Sequence, residues 1–145
     1  AVSSTRLGPY KPYSAKHKLF KGMSASSFYY MSNETRNWTE SRQDCQKRGA
    51  GLIIINTREE QDFVKKITDK REFWIGLTDS EVEGTWKWVD GSTVTYDFRF
   101  WVSGEPNGDR ENNCAVSYSS GWYDYQCNNL YKYICEKNFV KYHIP

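Results

Sequence analysis

The chain has little histidine. His17 and His143 are the only two, and both stand in terminal segments. It contains no Cys-x-x-Cys pair, and its longest purely aliphatic run is Leu52-Ile53-Ile54-Ile55. The scarcity of imidazole removes the usual acid–base partner from the middle of the chain. With the four cysteines Cys45, Cys114, Cys127 and Cys135 read as oxidised, no constellation for nucleophilic or acid–base catalysis remains, and an enzyme is not expected. Four aliphatic residues cannot span a bilayer, so no transmembrane helix is expected either. Ala1 is not an initiator methionine and no charged segment leading into a long apolar run follows it; any signal peptide or membrane anchor lies outside this sequence.

What is present is aromatic weight and paired cysteine. The 145 residues suffice for one domain with a true core, and six Trp and eleven Tyr supply much of its volume. An even cysteine count, together with sequons at Asn33-Glu34-Thr35 and Asn37-Trp38-Thr39, points to an oxidising, extracellular compartment. The net charge is +2, of which Arg6, Lys11, Lys16, Lys18 and Lys21 supply +5 before any acid occurs, so residues 22–145 carry −3. That basic start lacks an amphipathic repeat and reads as a solvated leader, with no indication of nucleic-acid binding.

In chain order, residues 1–18 read as a leader or stalk remnant and 19–137 as the folded domain beginning near Leu19-Phe20, with 138–145 left as a tail. Phe28 to Ser32 reads as a strand and Asn33 to Arg36 as a turn. Asn37 with Glu40 opens a helix on which Trp38, Ser41 and Cys45 recur at helical spacing until Gly49-Ala50-Gly51. Leu52 to Ile55 reads as a short buried strand. Thr57-Arg58-Glu59-Glu60 then forms a capping box for a second helix with Phe63, Val64 and Ile67 as its apolar stripe, ended by Asp69-Lys70-Arg71. Phe73 to Leu77 reads as a central strand in which Gly76 permits close approach. From Thr78 to Asn113 the chain is mostly irregular, with only Trp86-Lys87-Trp88-Val89 looking like strand, and loops of that length inside a domain are usually functional. Cys114 to Tyr118, Trp122-Tyr123 and Tyr131 to Cys135 supply closing strands. The sum is α+β: two helices and a predominantly antiparallel sheet.

Between Trp101 and Asp124, the residues Glu105, Asn107, Glu111 and Asp124 place carboxylate and amide oxygens on turn-rich backbone. That is the donor chemistry of a hard cation such as Ca²⁺, and nothing nearby offers a softer metal a thiolate or imidazole.

With these elements in place, residues 19–137 resemble a C-type lectin-like domain. The resemblance rests on Trp74-Ile75-Gly76-Leu77, Trp86-x-Trp88-Val89-Asp90-Gly91, Gly104-Glu105-Pro106-Asn107 after Trp101, Asn113-Cys114-Ala115, Trp122-x-Asp124-x-x-Cys127 and Ile134-Cys135-Glu136-Lys137. Of the three connectivities open to four cysteines, it implies Cys45–Cys135 and Cys114–Cys127. Phe28 stands where long-form relatives have an extra cysteine, which makes this a short-form domain. Glu-Pro-Asn is the family's mark of a mannose-type site, in which vicinal sugar hydroxyls chelate a bound Ca²⁺, and the family's proline is cis. The chemistry suits that role: Glu105 can bind a cation and accept a hydroxyl hydrogen, while Asn107 binds through its amide oxygen and donates through its NH₂.

The sequence also departs from the pattern. Tyr123 stands where the family places an asparagine ligand, so the phenol either swings away, leaves a weaker cation site, or offers its ring to a sugar; Val116 is a further candidate for sugar packing. The family's glutamate two residues before the cysteine is Asn112 here, with Glu111 one residue further off. A possible auxiliary Ca²⁺ site would draw on Asp79, Glu83, Asn112 and Asn113, although Gly108 replaces an acid or amide and Asp109 comes one position late. The resemblance therefore implies calcium-dependent binding of mannose, fucose or N-acetylglucosamine glycans by a receptor ectodomain or secreted lectin of innate-immune type, clustered as a homo-oligomer for avidity. The rival is a calcium-independent, protein-binding receptor domain of the same fold.

Overall fold

The structure is a computed structural model, and it describes residues 27–94, 99–108 and 111–138. The expected leader, the start near Leu19-Phe20, Asp109 and the tail beyond Asn138 lie outside the described residues. Asn138 itself, expected to open the tail, pairs with Ser27 at the end of the last strand.

Two helices form where the sequence provides caps. Helix α1 (Trp38–Lys47) starts at Asn37, whose side chain accepts the Glu40 backbone N–H at 2.8 Å. Its buried residues are Trp38, Ser41 and Cys45, as the spacing predicts. Helix α2 (Arg58–Thr68) opens with the full capping box between Thr57 and Glu60 and ends at Asp69 in the left-handed conformation. The apolar stripe is only partly as expected: Val64 is buried, but Gln61 and Thr68 fill the other inner positions while Phe63 and Ile67 are half-buried. Thr68 can be buried because its hydroxyl donates to the Val64 carbonyl at 2.8 Å.

The strands are β1 (Ser27–Met31), β2 (Gly51–Leu52), β3 (Phe73–Thr78), β4 (Lys87–Trp88), β5 (Cys114–Tyr118), β6 (Gly121–Tyr125) and β7 (Lys132–Asn138). They lie in the order β1-β7-β3-β5-β6, with β2 on β7 and β4 on β3. All described pairings are antiparallel except β3 with β7, which run parallel through Phe73↔Lys132 and Trp74↔Tyr133. Two expected strands are shorter than the sequence suggests. Of the expected 52–55 strand only Leu52 lies in β2; Ile53 still donates to Ile134 on β7 at 3.0 Å but turns its carbonyl to Gly76 on β3. Trp86 and Val89 fall outside β4.

Strand β3 is buried on both faces, and its alternate residues feed two clusters. Phe73, Ile75 and Leu77 join Ile53, Ile55, Val64, Trp88 and Trp122, while Trp74 joins Trp38, Leu52, Val116 and Tyr133. The buried indoles of Trp38 and Trp74 donate to the carbonyls of Ile75 and Arg36, each at 2.9 Å, so neither carries an unpaid polar group into the core. Gly76 is required at its position: a β-carbon there would lie 2.9 Å from the Leu52 carbonyl oxygen. The disulfides pair as the resemblance implied, Cys45–Cys135 tying α1 to β7 and Cys114–Cys127 tying β5 to the chain after β6. Each contributes roughly 2–5 kcal/mol by restricting the unfolded chain.

Candidate functional site

The long excursion between β4 and β5 is held down by aromatic packing. Trp122 on β6 meets Trp88, Phe100 and Trp101 edge-on at centroid distances of 5.4, 5.4 and 5.6 Å, and Trp101 meets Trp86 at 4.9 Å. Trp122 also donates its indole N–H to Gln61 on α2 at 2.9 Å. Backbone bonds from Trp122 to Phe100 and from Val102 to Trp122, at 2.8 and 3.0 Å, lay the loop along the outer edge of β6. Gly121 (φ +135°) permits this contact, since a β-carbon there would stand 2.6 Å from the Phe100 carbonyl.

From this anchor the chain turns at Gly104 and enters a cis Glu105–Pro106 bond, as the family pattern implied. Asp124 then clasps the loop. Its two carboxylate oxygens accept the backbone N–H groups of Asn107 at 3.2 Å and Gly108 at 2.8 Å, and its own N–H donates to Glu105 Oε1 at 3.2 Å. Asp124 is buried, Glu105 half-buried and Asn107 exposed. Burial pushes the Glu105 carboxyl above the usual range, and its contact with Asp124 pushes it further.

Asp79, the residue after β3, is buried, and one carboxylate oxygen accepts the Gly84 N–H at 2.8 Å. The other, Oδ1, has no partner among the described residues. Burial raises this carboxyl, and the charge of Asp124 adds to the effect. Asp79 and Glu83 line a cleft of about 430 Å³ together with Pro106, Gly108, Arg99 and the indoles of Trp86 and Trp101.

The structure thus brings Glu105, Asp124 and the backbone of Asn107 together and sets Asp79 and Glu83 in a cleft whose lining includes the neighbouring Pro106 and Gly108. It does not bring Glu111 to them. Glu111 is exposed and lines a separate hollow with Asn113, Gln126, Cys127 and Asn128. Asn112 instead adjoins the loop, with its side chain against Gly108 so closely that no β-carbon fits there. Val116 is a correction: it is fully buried in the second core cluster and has no surface to offer a sugar. Tyr123 faces away from Asp124, stacks beside Tyr125 and hydrogen-bonds Ser120 through its hydroxyl at 3.1 Å. Asn33 is exposed and Asn37 half-buried with its amide oxygen engaged as the α1 cap. Sequence reasoning missed Gln61 and Arg99, for which no local signal exists, and Tyr125, which the two-residue spacing from Tyr123 could have exposed.

Residues 34–137 match the family model described as Lectin C-type domain. The C-type lectin domain family 4 member M of Symphalangus syndactylus is 46% identical over 112 residues, covering 75% of this chain and 26% of that protein. The chain belongs to the C-type lectin family. A mouse scavenger receptor C-type lectin carbohydrate-recognition domain superposes with a TM-score of 0.73 at 38% identity, covering 78% of this chain and 91% of that one. A calcium-independent type II antifreeze protein superposes with a TM-score of 0.70 at 27% identity over 79% of this chain and 88% of its own. The C-type lectin domain thus spans about a quarter of the length of the curated relatives it matches. Its fold, two helices, a mixed sheet and two disulfides, is that of the C-type lectins, and membership places it among binding domains and not among enzymes.

Among the described residues no three His, Cys, Asp or Glu side chains converge as a metal-binding group, so a cation held by this lectin domain must draw on amide or backbone oxygens as well. The donors present fit such an ion. The partnerless Asp79 Oδ1 and the mutually repelling Glu105 and Asp124 carboxylates are what a divalent, oxygen-seeking cation would relieve.

Proposed function

We propose that this domain binds mannose-type glycans, those ending in mannose, fucose or N-acetylglucosamine, through a Ca²⁺ ion held by Glu105, Asn107, Asp124 and Asn112. The observation that carries this reading is the clasp of the cis-proline loop by Asp124, which sets two carboxylates against the backbone of a loop on which Asn107 is exposed. The ion supplies coordination for two vicinal sugar hydroxyls. Glu105 accepts a hydrogen from one hydroxyl, and the Asn107 amide donates to the other. Trp101 and Trp122 keep the loop fixed before ligand arrives, so little ordering cost is met on binding. Amide Asn112 in place of a carboxylate lowers the negative charge of the donor set and with it the affinity for Ca²⁺. Asp79 and Glu83 form an auxiliary cation site on the wall of the cleft, and Asn113 and Glu111, which line the separate hollow, are left for contacts beyond the ion.

Single-site affinity is weak, and clustering of several copies in a receptor ectodomain or secreted oligomer supplies avidity. The two disulfides and the exposed Asn33 sequon support an extracellular setting.

A second reading, calcium-independent binding of a protein partner, is favoured by Tyr123, which removes one oxygen ligand, and by likeness to the calcium-independent antifreeze protein. Retention on mannose-agarose in Ca²⁺ with release by chelator supports the first reading. Passage through the column, with a melting temperature indifferent to Ca²⁺, replaces it with the second.

A further inference from the structure

Four tyrosines run in an unbroken row beside this site and contribute nothing to the cation. Tyr123 and Tyr125 flank Asp124 on β6, so strand alternation sends both rings to the face opposite its carboxylate. Their planes lie only 18° apart with centroids at 6.1 Å, so the two rings stack nearly parallel. Tyr131 extends it at 5.6 Å from Tyr125, and Tyr118 closes the other end at 6.3 Å from Tyr123. All four are half-buried: Tyr123, Tyr125 and Tyr131 roof the cluster that contains Val116, and each of the four keeps part of its surface in solvent.

The row shares strand β6 with the proposed sugar site. The backbone N–H of Asp124, between the two stacked rings, donates to Glu105 Oε1 at 3.2 Å, so the carboxylate that would take a sugar hydroxyl stands against the strand that carries the platform. Its edge is acidic. The Glu105 carboxylate accepts from the Asp124 backbone between Tyr123 and Tyr125. Such a surface suits the C–H face of an uncharged pyranose, which packs on aromatic rings, and repels a carboxylated or sulfated one.

We propose that Tyr118, Tyr123, Tyr125 and Tyr131 form a second subsite, on which the hexoses that follow the terminal sugar of a neutral oligosaccharide stack. The subsite rests on the calcium-dependent reading above and adds to it a preference for extended, uncharged chains over single sugars. The test is calorimetric titration of methyl α-mannoside and of a linear mannotriose glycoside in Ca²⁺, against the native domain, Tyr125→Ser and Tyr125→Phe. The native domain should bind the trisaccharide roughly 3- to 10-fold more tightly than the monosaccharide, the range expected for one or two aromatic contacts. Tyr125→Ser should lose that gain while keeping its affinity for methyl α-mannoside, and Tyr125→Phe should retain both. Equal affinity for the two sugars in the native domain overturns the subsite alone, as does a gain that survives in Tyr125→Ser. If Tyr125→Ser leaves both sugars unaffected and abolishes a self-association visible in sedimentation, the row is a contact between copies and the proposal falls. Failure of the native domain to bind methyl α-mannoside overturns the calcium-dependent reading, and the subsite with it.

Discussion

Glu136 offers a prediction far from the candidate site. It lies on β7 opposite Tyr29 of β1 and Gly51 of β2, and its Oε1 accepts the Ile54 backbone N–H at 3.3 Å. Burial raises its pKa from an ordinary 4.5 to about 7, with the negative charge of Glu60 adding to the rise against the pull of the Ile54 and Tyr29 hydrogen bonds. A folded-state value raised in this way means that the protonated acid is the better-tolerated form. Its stability contribution is fully present below pH 4.5 and is lost as pH climbs through 7, a swing of about 3 kcal/mol at most. Glu136→Gln keeps an acceptor for Ile54 and removes the charge. Urea unfolding of both proteins, with disulfides intact and chelator present, should give near-equal stability at pH 4.5 and a clear advantage for the variant at pH 8. Asp79 and Glu105, also raised, and Asp44 and Asp90, lowered, titrate alike in both proteins and cancel in the difference. A stability difference that does not change between the two pH values would refute the argument.

Two further outcomes follow from packing and from the donor set. Gly76→Ala should cost roughly 1–3 kcal/mol, since its β-carbon would press on the Leu52 and Ile53 carbonyls, both about 3 Å away, and on Val89; an unchanged melting temperature would contradict the crowding. Tyr123→Asn should leave Ca²⁺ affinity within about twofold of the native value, because the side chain at 123 turns to the face opposite the Asp124 carboxylate, measured by calcium titration of tryptophan fluorescence. A roughly tenfold rise would show that position 123 reaches the ion.

The helices were legible because their ends are written locally. Asn37, Thr57 and Glu60 satisfy orphan backbone donors within four residues, so no distant contact is needed to place them. Gly76 was legible for a similar reason, since a glycine inside an otherwise bulky strand signals an approaching neighbour. The limits of β2 and β4 were not, because a two-residue pairing depends on where β7 and β3 stop and leaves no periodicity of its own. Gln61 reads as a solvent residue until Trp122 arrives from another part of the chain to use its oxygen. At the site, Glu105, Asn107 and Asp124 could be picked out by chemical type and family pattern. What sequence could not settle was direction: strand alternation turns Tyr123 away from Asp124 and hides Val116, and loop geometry carries Glu111 to a different hollow.

The central claim is that a calcium ion at Glu105, Asn107 and Asp124 is what a sugar binds. It is tested most directly by calorimetric titration of methyl α-mannoside into the domain in Ca²⁺, repeated in chelator and with Glu105→Gln in Ca²⁺. Binding heat in Ca²⁺ alone, absent in chelator and in Glu105→Gln, is the predicted result. No heat with the native domain in Ca²⁺, or the same heat in chelator, would contradict it.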